Sequence, residues 1–402
     1  MPQENEHRVE DSEEKKRRRE KLKSGLQAMF AAQSAGPQKH SDDDSEEDEQ
    51  PPVPKERQGE HSAEEIILNI DTKSLMIEIN NMRLFSLDEV ELDKFTECTS
   101  LSLRKNLLHE LSPFPEHLAA RLEELDFFDN KIRKLRDFFT TVRLEGEPSP
   151  KRNVVNAFGR LTKLDLSYNQ IREISGLESL APTLRELYLV ENKIKEIKNL
   201  EPLVNLELLE LGGNRIREIG PGLATLTKLR QLWLGKNKIV AIGASLHKLV
   251  SLEILSLQAN RITSIEAENF LGPDANPQLR EVYLSENGLT SIQNVERLSM
   301  VRIIDFSFNP ISSINADAIN PQTMPFLEEF WLTDGKVDKW DEVGKLSGFK
   351  DSLKTVYLER NPIEEDKRYR DKVYMYLPFL VQIDSWPIVN KGNLEADRKR
   401  RA

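Results

Sequence analysis

Leu184-Arg185-Glu186-Leu187-Tyr188-Leu189-Val190-Glu191-Asn192-Lys193-Ile194 is one copy of a pattern that recurs through this chain. Its form is Leu-x-x-Leu-x-Leu-x-x-Asn, often followed by x-Ile. The closing Asn returns at Asn106, Asn130, Asn169, Asn192, Asn214, Asn237, Asn260, Asn287, Asn309 and Asn361, and one further copy ends in Gly335. Most intervals are 22 to 27 residues. A unit this short cannot bury its apolar residues alone, so the copies must stack on one another.

That period is the leucine-rich-repeat period. The predicted fold is an α/β leucine-rich-repeat solenoid of about eleven short repeats, with a curved parallel sheet on its concave face. Residues 63–361 carry the repeats. Residues 362–390 read as a C-terminal cap, because Pro362 breaks the pattern and Tyr369, Val373, Tyr376-Leu377 and Leu380 continue at near-helical spacing up to the stop at Pro378. Gln382-Ile383-Asp384 then reads as a last short strand. The first unit, around Met76, Ile79 and Leu84, is expected to be irregular, as terminal repeats are. The interval from Asn130 to Asn169 is 39 residues, and its excess, 136–159, is expected to leave the stack as a loop, extended and mobile at Pro148-Ser149-Pro150.

Residues 1–62 read as a disordered charged tail, rich in Glu, Lys, Ser, Pro and Gln and without a sustained apolar period. Within it, Lys15-Lys16-Arg17-Arg18-Arg19 is a compact basic cluster with the composition of a nuclear-import signal or of a solvated charge run. Ser41 to Glu49 places seven carboxylates around Ser41 and Ser45, candidate phosphosites for a kinase that reads downstream acids. Ser149 is a weaker, proline-directed candidate. Residues 391–402 form a second basic tail.

The chain has 402 residues, 57 Lys and Arg against 68 Asp and Glu, and a net charge of −11. That balance disfavours direct nucleic-acid binding, which draws its affinity from clustered cations. A single cysteine, Cys98, cannot build the disulfide caps of secreted repeat proteins, so a reducing compartment is expected. No apolar run approaches the roughly 18 residues that span a bilayer, and no membrane is expected as a partner. The start of the chain lacks the apolar stretch of a signal peptide. Six scattered histidines show no metal-ligand spacing, and no glycine-rich phosphate loop is present. No enzyme activity, cofactor or metal is therefore expected.

Function is expected on the strand. Side chains alternate with a period of two, so the residue between the second and third Leu faces away from the core. In order it is Ser102, Asp126, Asp165, Tyr188, Glu210, Trp233, Ser256, Tyr283, Asp305, Trp331 and Tyr357. Five of these eleven are Tyr or Trp, although the whole chain holds only eleven Tyr and Trp, so chance does not account for the enrichment. Four more are acidic, and two positions earlier stand Glu124, Glu186, Glu281 and Glu329. Large aromatics beside carboxylates are the composition of a protein-binding face for a basic patch. The plainer reading, aromatics packed on each other as ladders, is expected to hold for one or two of them.

Particular stretches resemble the leucine-rich-repeat regulatory subunits of protein phosphatase-1, the regulatory subunit 7 family. They are Leu211-Gly212-Gly213-Asn214-Arg215-Ile216-Arg217, Leu234-Gly235-Lys236-Asn237-Lys238-Ile239 and Glu329-Phe330-Trp331. The most specific string is Val356-Tyr357-Leu358-Glu359-Arg360-Asn361-Pro362 with Tyr369-Arg370, Lys372-Val373 and Leu377-Pro378. The likeness covers roughly residues 75 to 386. It implies a non-catalytic regulatory subunit that binds the phosphatase catalytic subunit through its concave face and regulates or stabilises it. By resemblance the contacts fall on Asp165, Tyr188, Glu210, Trp233, Asp305, Glu329, Trp331 and Tyr357, to which the strand alternation adds Tyr283. Tyr188 and Trp233 stand where the family carries Phe, so aromatic character is kept. The resemblance also implies residence in nucleus and cytoplasm, a third, phosphatase-inhibitor protein as a further partner, and a monomer when unbound. The alternative is a scaffold for a spliceosomal or cytoskeletal assembly with the same repeat and cap. Arg302-Ile303-Ile304-Asp305-Phe306 fits a short phosphatase-docking motif formally, but Ile304 and Phe306 are core positions of a strand.

Overall fold

The structure, a computed structural model, describes residues 70–270 and 277–388. Internal contacts divide the chain at Glu60 into two units, and every described residue belongs to the second. The expected tails 1–62 and 391–402, the basic cluster Lys15 to Arg19, and Ser41 and Ser45 lie outside the described residues.

Each repeat contributes a three-residue strand. In the first half these are β1 (Met76–Glu78), β2 (Ser100–Ser102), β4 (Glu124–Asp126), β6 (Lys163–Asp165), β7 (Glu186–Tyr188) and β8 (Leu208–Glu210). In the second half they are β9 (Gln231–Trp233), β10 (Ile254–Ser256), β11 (Glu281–Tyr283), β12 (Ile303–Asp305), β13 (Glu329–Trp331) and β14 (Thr355–Tyr357). All pair in parallel, each with the next. The cap adds β15 (Gln382–Ile383), parallel to β14, and β16 (Trp386–Pro387), antiparallel to β15, which closes the fourteen-stranded sheet among the described residues. The connections are turns and short helical segments. The longest is α3 (Tyr369–Tyr376) of the cap, preceded by α1 (Glu116–Ala119) and α2 (Trp340–Gly344).

The Leu-x-Leu alternation produces this register directly. The central residue of every three-residue strand of this sheet, from Ile77 through Leu187, Val282 and Phe330 to Val356, is buried in one continuous apolar core, which Ile383 of β15 joins. At the first strand Ile77 enters that core, whereas Met76 is 67% exposed. Apolar burial of this kind stabilises by about 25 cal/mol per Å2, and here it couples each repeat only to its neighbours.

The consensus Asn is a structural part. Asn192 Nδ2 donates to Leu166 O at 2.9 Å and to Leu189 O at 3.2 Å, while its Oδ1 accepts from Ile171 N at 2.9 Å. Asn214 and Asn309 make the same three contacts one repeat and five repeats on. One side chain thus satisfies backbone groups of its own turn and of the preceding one, groups whose burial without partners would be costly. The residue before each Asn takes a left-handed conformation, as at Lys105, Tyr168, Glu191, Ala259 and Arg360. Where Gly335 replaces the Asn, a Cβ would stand 2.6 Å from Asn361 Oδ1, so the neighbouring turn fills the space.

The segment 136–159 departs from expectation. Phe138, Phe139, Val142, Ala157 and Phe158 are buried in the core. Phe138 meets Phe114 at 5.4 Å and Phe158 at 5.5 Å. β5 (Val142–Arg143) pairs with β3 (Phe114–Pro115) in a second, two-stranded parallel sheet. The loop is therefore anchored at both ends by aromatic packing, with Val142 and Lys151 joined in an antiparallel bridge. Its crest, 145–153 with Ser149, is exposed throughout.

Candidate functional site

The strand register puts the nominated residues in one column. Asp165 pairs with Tyr188, Tyr188 with Glu210, and Glu210 with Trp233. Trp233 is followed by Ser256, Tyr283, Asp305, Trp331 and Tyr357 in the same register. Glu329 lies in the column two residues earlier, separated from Glu281 by Ile303 of the intervening strand. The sheet thus brings together all nine nominated partner-binding residues on the side opposite the leucine core.

Their exposure is not what the alternation alone predicts. Trp331 is 6% exposed, Tyr283 3% and Asp305 0%. Tyr188 is also buried, whereas Asp165, Glu210, Trp233, Glu329 and Tyr357 are half-buried. The rings lean on one another: Trp233 on Tyr283 at 6.5 Å, Tyr283 on Trp331 at 6.1 Å, Trp331 on Tyr357 at 5.1 Å. Ser256 and Asp305 each occupy the strand between two of these rings and are buried beneath them. The ladder expected for one or two aromatics joins four of the five. Offset and edge-on ring pairs of this kind add roughly 0.5–1.5 kcal/mol each beyond their area burial.

The tips of the rings are held by the residue two places earlier. Tyr188 Oη donates to Glu186 Oε2 at 2.7 Å, and Tyr283 Oη to Glu281 Oε2 at 2.9 Å. Trp233 Nε1 donates to Gln231 Oε1 at 3.3 Å and Trp331 Nε1 to Glu329 Oε2 at 3.1 Å. Tyr357 Oη instead accepts from Gln382 Nε2 of the cap at 2.8 Å. Burial, and then the negative Glu329, push the Tyr357 phenol up to about 12. The acid-x-aromatic spacing therefore orients Tyr188, Tyr283 and Trp331 as well as lending charge.

The aspartates of the column also brace the backbone. Asp126, Asp165 and Asp305 each accept the amide two residues on, at 2.9, 2.8 and 2.9 Å. Burial pushes the Asp305 carboxyl up, against the Ser307 and Ser285 groups that favour its charged form. Its Oδ2 is buried beside the Ser285 hydroxyl without a well-aligned donor. Asp305 offers no surface in this arrangement, so its expected role as a contact requires Tyr283 and Trp331 to part. Asp126 is lifted to about 6, first by burial and then by the neighbouring Asp165, against the Phe128 amide, Arg104 and Lys163.

Sequence reasoning missed the apolar members of the earlier column. Leu208 and Ile303 are buried on this side of the sheet, outside the leucine core. They were legible as apolar residues at outward positions. The Ile304 and Phe306 of the formal docking motif are fully buried, as their strand parity requires. Among the described residues no group of three or more His, Cys, Asp or Glu could hold a metal ion, and no helix is long and apolar enough to cross a membrane.

Models of the leucine-rich repeat match residues 204–262 and of two-copy leucine-rich repeats residues 160–203. The chain is a leucine-rich-repeat solenoid. It is similar to leucine-rich-repeat regulatory subunits of protein phosphatase 1. One is a protein phosphatase 1 regulatory inhibitor subunit homologue of Arabidopsis thaliana, 31% identical over 38% of this chain and 49% of that protein. Another is a regulatory subunit of Saccharomyces cerevisiae, 34% identical over 26% of each chain. Protein phosphatase 1 regulatory subunit 7 of Homo sapiens is 47% identical over 12% of this chain and 13% of that one. These alignments span about half or less of the curated relatives' lengths. Their naming as regulatory subunits agrees with the expectation that this solenoid is not an enzyme. In fold it is similar to a leucine-rich-repeat protein of Leptospira interrogans, with a TM-score of 0.53, 23% identity and coverage of 75% and 76%. It is likewise similar to an internalin of Listeria monocytogenes, with a TM-score of 0.54, 17% identity and coverage of 81% and 94%.

Proposed function

We propose that this solenoid is a regulatory subunit that binds the catalytic subunit of protein phosphatase 1 through the aromatic and acidic face of its sheet. The observation that carries the reading is the column from Trp233 to Tyr357, where four rings join along one side of the sheet, with carboxylates at the tips of Tyr283 and Trp331. Tyr and Trp bury much area at modest entropic cost and dominate protein interfaces, and the carboxylates suit Lys or Arg on the partner. The names of the similar proteins support the same partner.

In this reading Trp233, Trp331 and Tyr357 supply apolar contact, Glu210, Asp165 and Glu329 supply charge, and Tyr188 and Tyr283 hold the ladder. A phosphatase-inhibitor protein is the proposed third member of the complex, and nucleus and cytoplasm are the proposed locations, checked by imaging the tagged full chain. The test is calorimetric titration of the full chain with the purified catalytic subunit. Binding that weakens in Trp331→Ala and Glu210→Ala, with the fold retained, is expected. Unchanged affinity in both variants overturns the assignment of the face. Capture of an RNA-binding or tubulin-associated protein from extract, with no phosphatase, would instead favour the scaffold reading.

A further inference from the structure

The chain holds two Ser-Pro pairs, Ser112-Pro113 and Ser149-Pro150, and no Thr-Pro pair. A proline-directed serine/threonine kinase reads proline after the acceptor, because its pocket for that residue offers no partner to a backbone N–H and proline has none. By letters alone the two pairs compete for the same enzyme. The fold treats them in opposite ways.

Ser112 is built into the solenoid. It is half-buried, its Oγ donates to Asp88 Oδ2 at 3.0 Å and lies 3.4 Å from Ser86 Oγ. Pro113 is half-buried too, and Phe114 and Pro115, which form β3, are buried. Phe114 packs on Phe138 at 5.4 Å and on Phe158 at 5.8 Å. An enzyme that drew Ser112 into its cleft would draw Phe114 out of the core, and returning a buried Phe to water costs about 1.5–3 kcal/mol. Three residues beyond Ser112 stands Pro115, which carries no charge.

Ser149 is displayed. Every residue from 145 to 153 is exposed. Pro148 and Pro150 have no N–H to pair, and Ser149 makes no hydrogen bond to another described residue. The backbone is next tied on one side by Glu147 N to Leu144 O at 3.3 Å and on the other by Lys151 N to Val142 O at 2.9 Å. A proline ring disfavours helical backbone at the residue before it, so Glu147 and Ser149 are both biased toward the extended form in which a kinase threads its acceptor. The bridge from Val142 to Lys151 and the packing of Phe138, Phe139 and Phe158 hold the base, so the crest stands on a fixed stem. That stem belongs to the two-stranded sheet, apart from the aromatic column. Arg152 follows three residues after Ser149. It lies 3.8 Å from Asp137 with both side chains exposed. Such a pair is weak, so the guanidinium is available to a carboxylate of another protein.

We propose that Ser149 is the acceptor of a proline-directed serine/threonine kinase, with Arg152 as the residue which that kinase selects three places on. In the transfer Ser149 Oγ bonds to the γ-phosphorus of ATP and the bond from that phosphorus to the bridging oxygen breaks. ADP leaves, and the hydroxyl proton passes to the kinase's catalytic aspartate. The product adds roughly −1.5 to −2 of charge at neutral pH. The assignment stands whatever binds the sheet face.

The test incubates the full chain with Mg-ATP and a purified cyclin-dependent kinase, and locates phosphate over a time course by tandem mass spectrometry. Incorporation at Ser149 is expected, with Ser112 modified at less than about a tenth of that rate because Phe114 must leave the core. Arg152→Ala should slow incorporation at Ser149 about tenfold, the worth of one charge-assisted contact. Its melting temperature should match that of the unaltered chain, since Arg152 is exposed. No phosphate at Ser149, a comparable rate at Ser112, or a Ser149 rate that Arg152→Ala leaves unchanged overturns the proposal.

Discussion

The first and second halves of the solenoid share one scaffold and differ in what they display on it. In the half before Trp233, the outward strand column is acidic or small apart from Tyr188. In the half from Trp233 onward, the column is a run of joined rings. The Leu, Ile and Asn positions are the same in both, because they serve the core and the backbone. The difference teaches that the repeat fixes its core and turn positions and frees the outward strand column, so one body can carry two unlike surfaces.

The largest expected effect breaks the shared scaffold. Leu187→Ala, at a fully buried central position, should cost roughly 2–5 kcal/mol in urea unfolding. Asn237→Ala should follow, at about 1–3 kcal/mol, because it leaves the buried Ile216 amide and the Leu211 and Leu234 carbonyls without their partner. Trp331→Ala sharpens the contrast between halves. It should weaken phosphatase binding by about 2 kcal/mol or more, and lower the melting temperature as well, since its ring joins Tyr283 and Tyr357. Glu210→Ala, half-buried and outside the ring ladder, should affect binding without that second loss.

The acidic half answers to pH. Burial lifts Asp126 from the ordinary 3.8 to about 6 in the folded chain. A carboxyl whose folded value is raised holds its proton more tightly folded than unfolded, so stability falls as pH rises through that window and the penalty is complete above it. Asp126→Asn should therefore raise the melting temperature at pH 7.5, and the gain should vanish below the ordinary carboxylate value. Asn can still accept the Phe128 amide. The smallest effect is Ala259→Gly. Ala259 sits at φ 53° with a Cβ, and relief of that conformation should outweigh the glycine entropy cost by about 0.5 kcal/mol in thermal unfolding.

Much of this was legible in the letters. The Leu187-Tyr188-Leu189 alternation placed the outward column, and the strand register reproduces it residue by residue. The terminal helix and its stop before Pro378 followed from spacing. What was not legible depends on side chains meeting across strands. Nothing local to Asp305 says that Tyr283 and Trp331, one strand away on either side, lean together above it. The segment 136–159 reads as a loop because its Pro-Ser-Pro crest dominates the composition. Phe138, Phe139 and Phe158 bind it back through Phe114, a partner more than twenty residues upstream.

The shared Asn side chain has a mechanical consequence. Each one clasps the coil before it as well as its own, so a coil within the stack is gripped from both sides, save at the seam where Gly335 stands for the Asn, and a coil at either end from one side only. Under tension the body should peel from its extremities, losing one clasp at a time in a sawtooth of similar forces, rather than rupture in the middle.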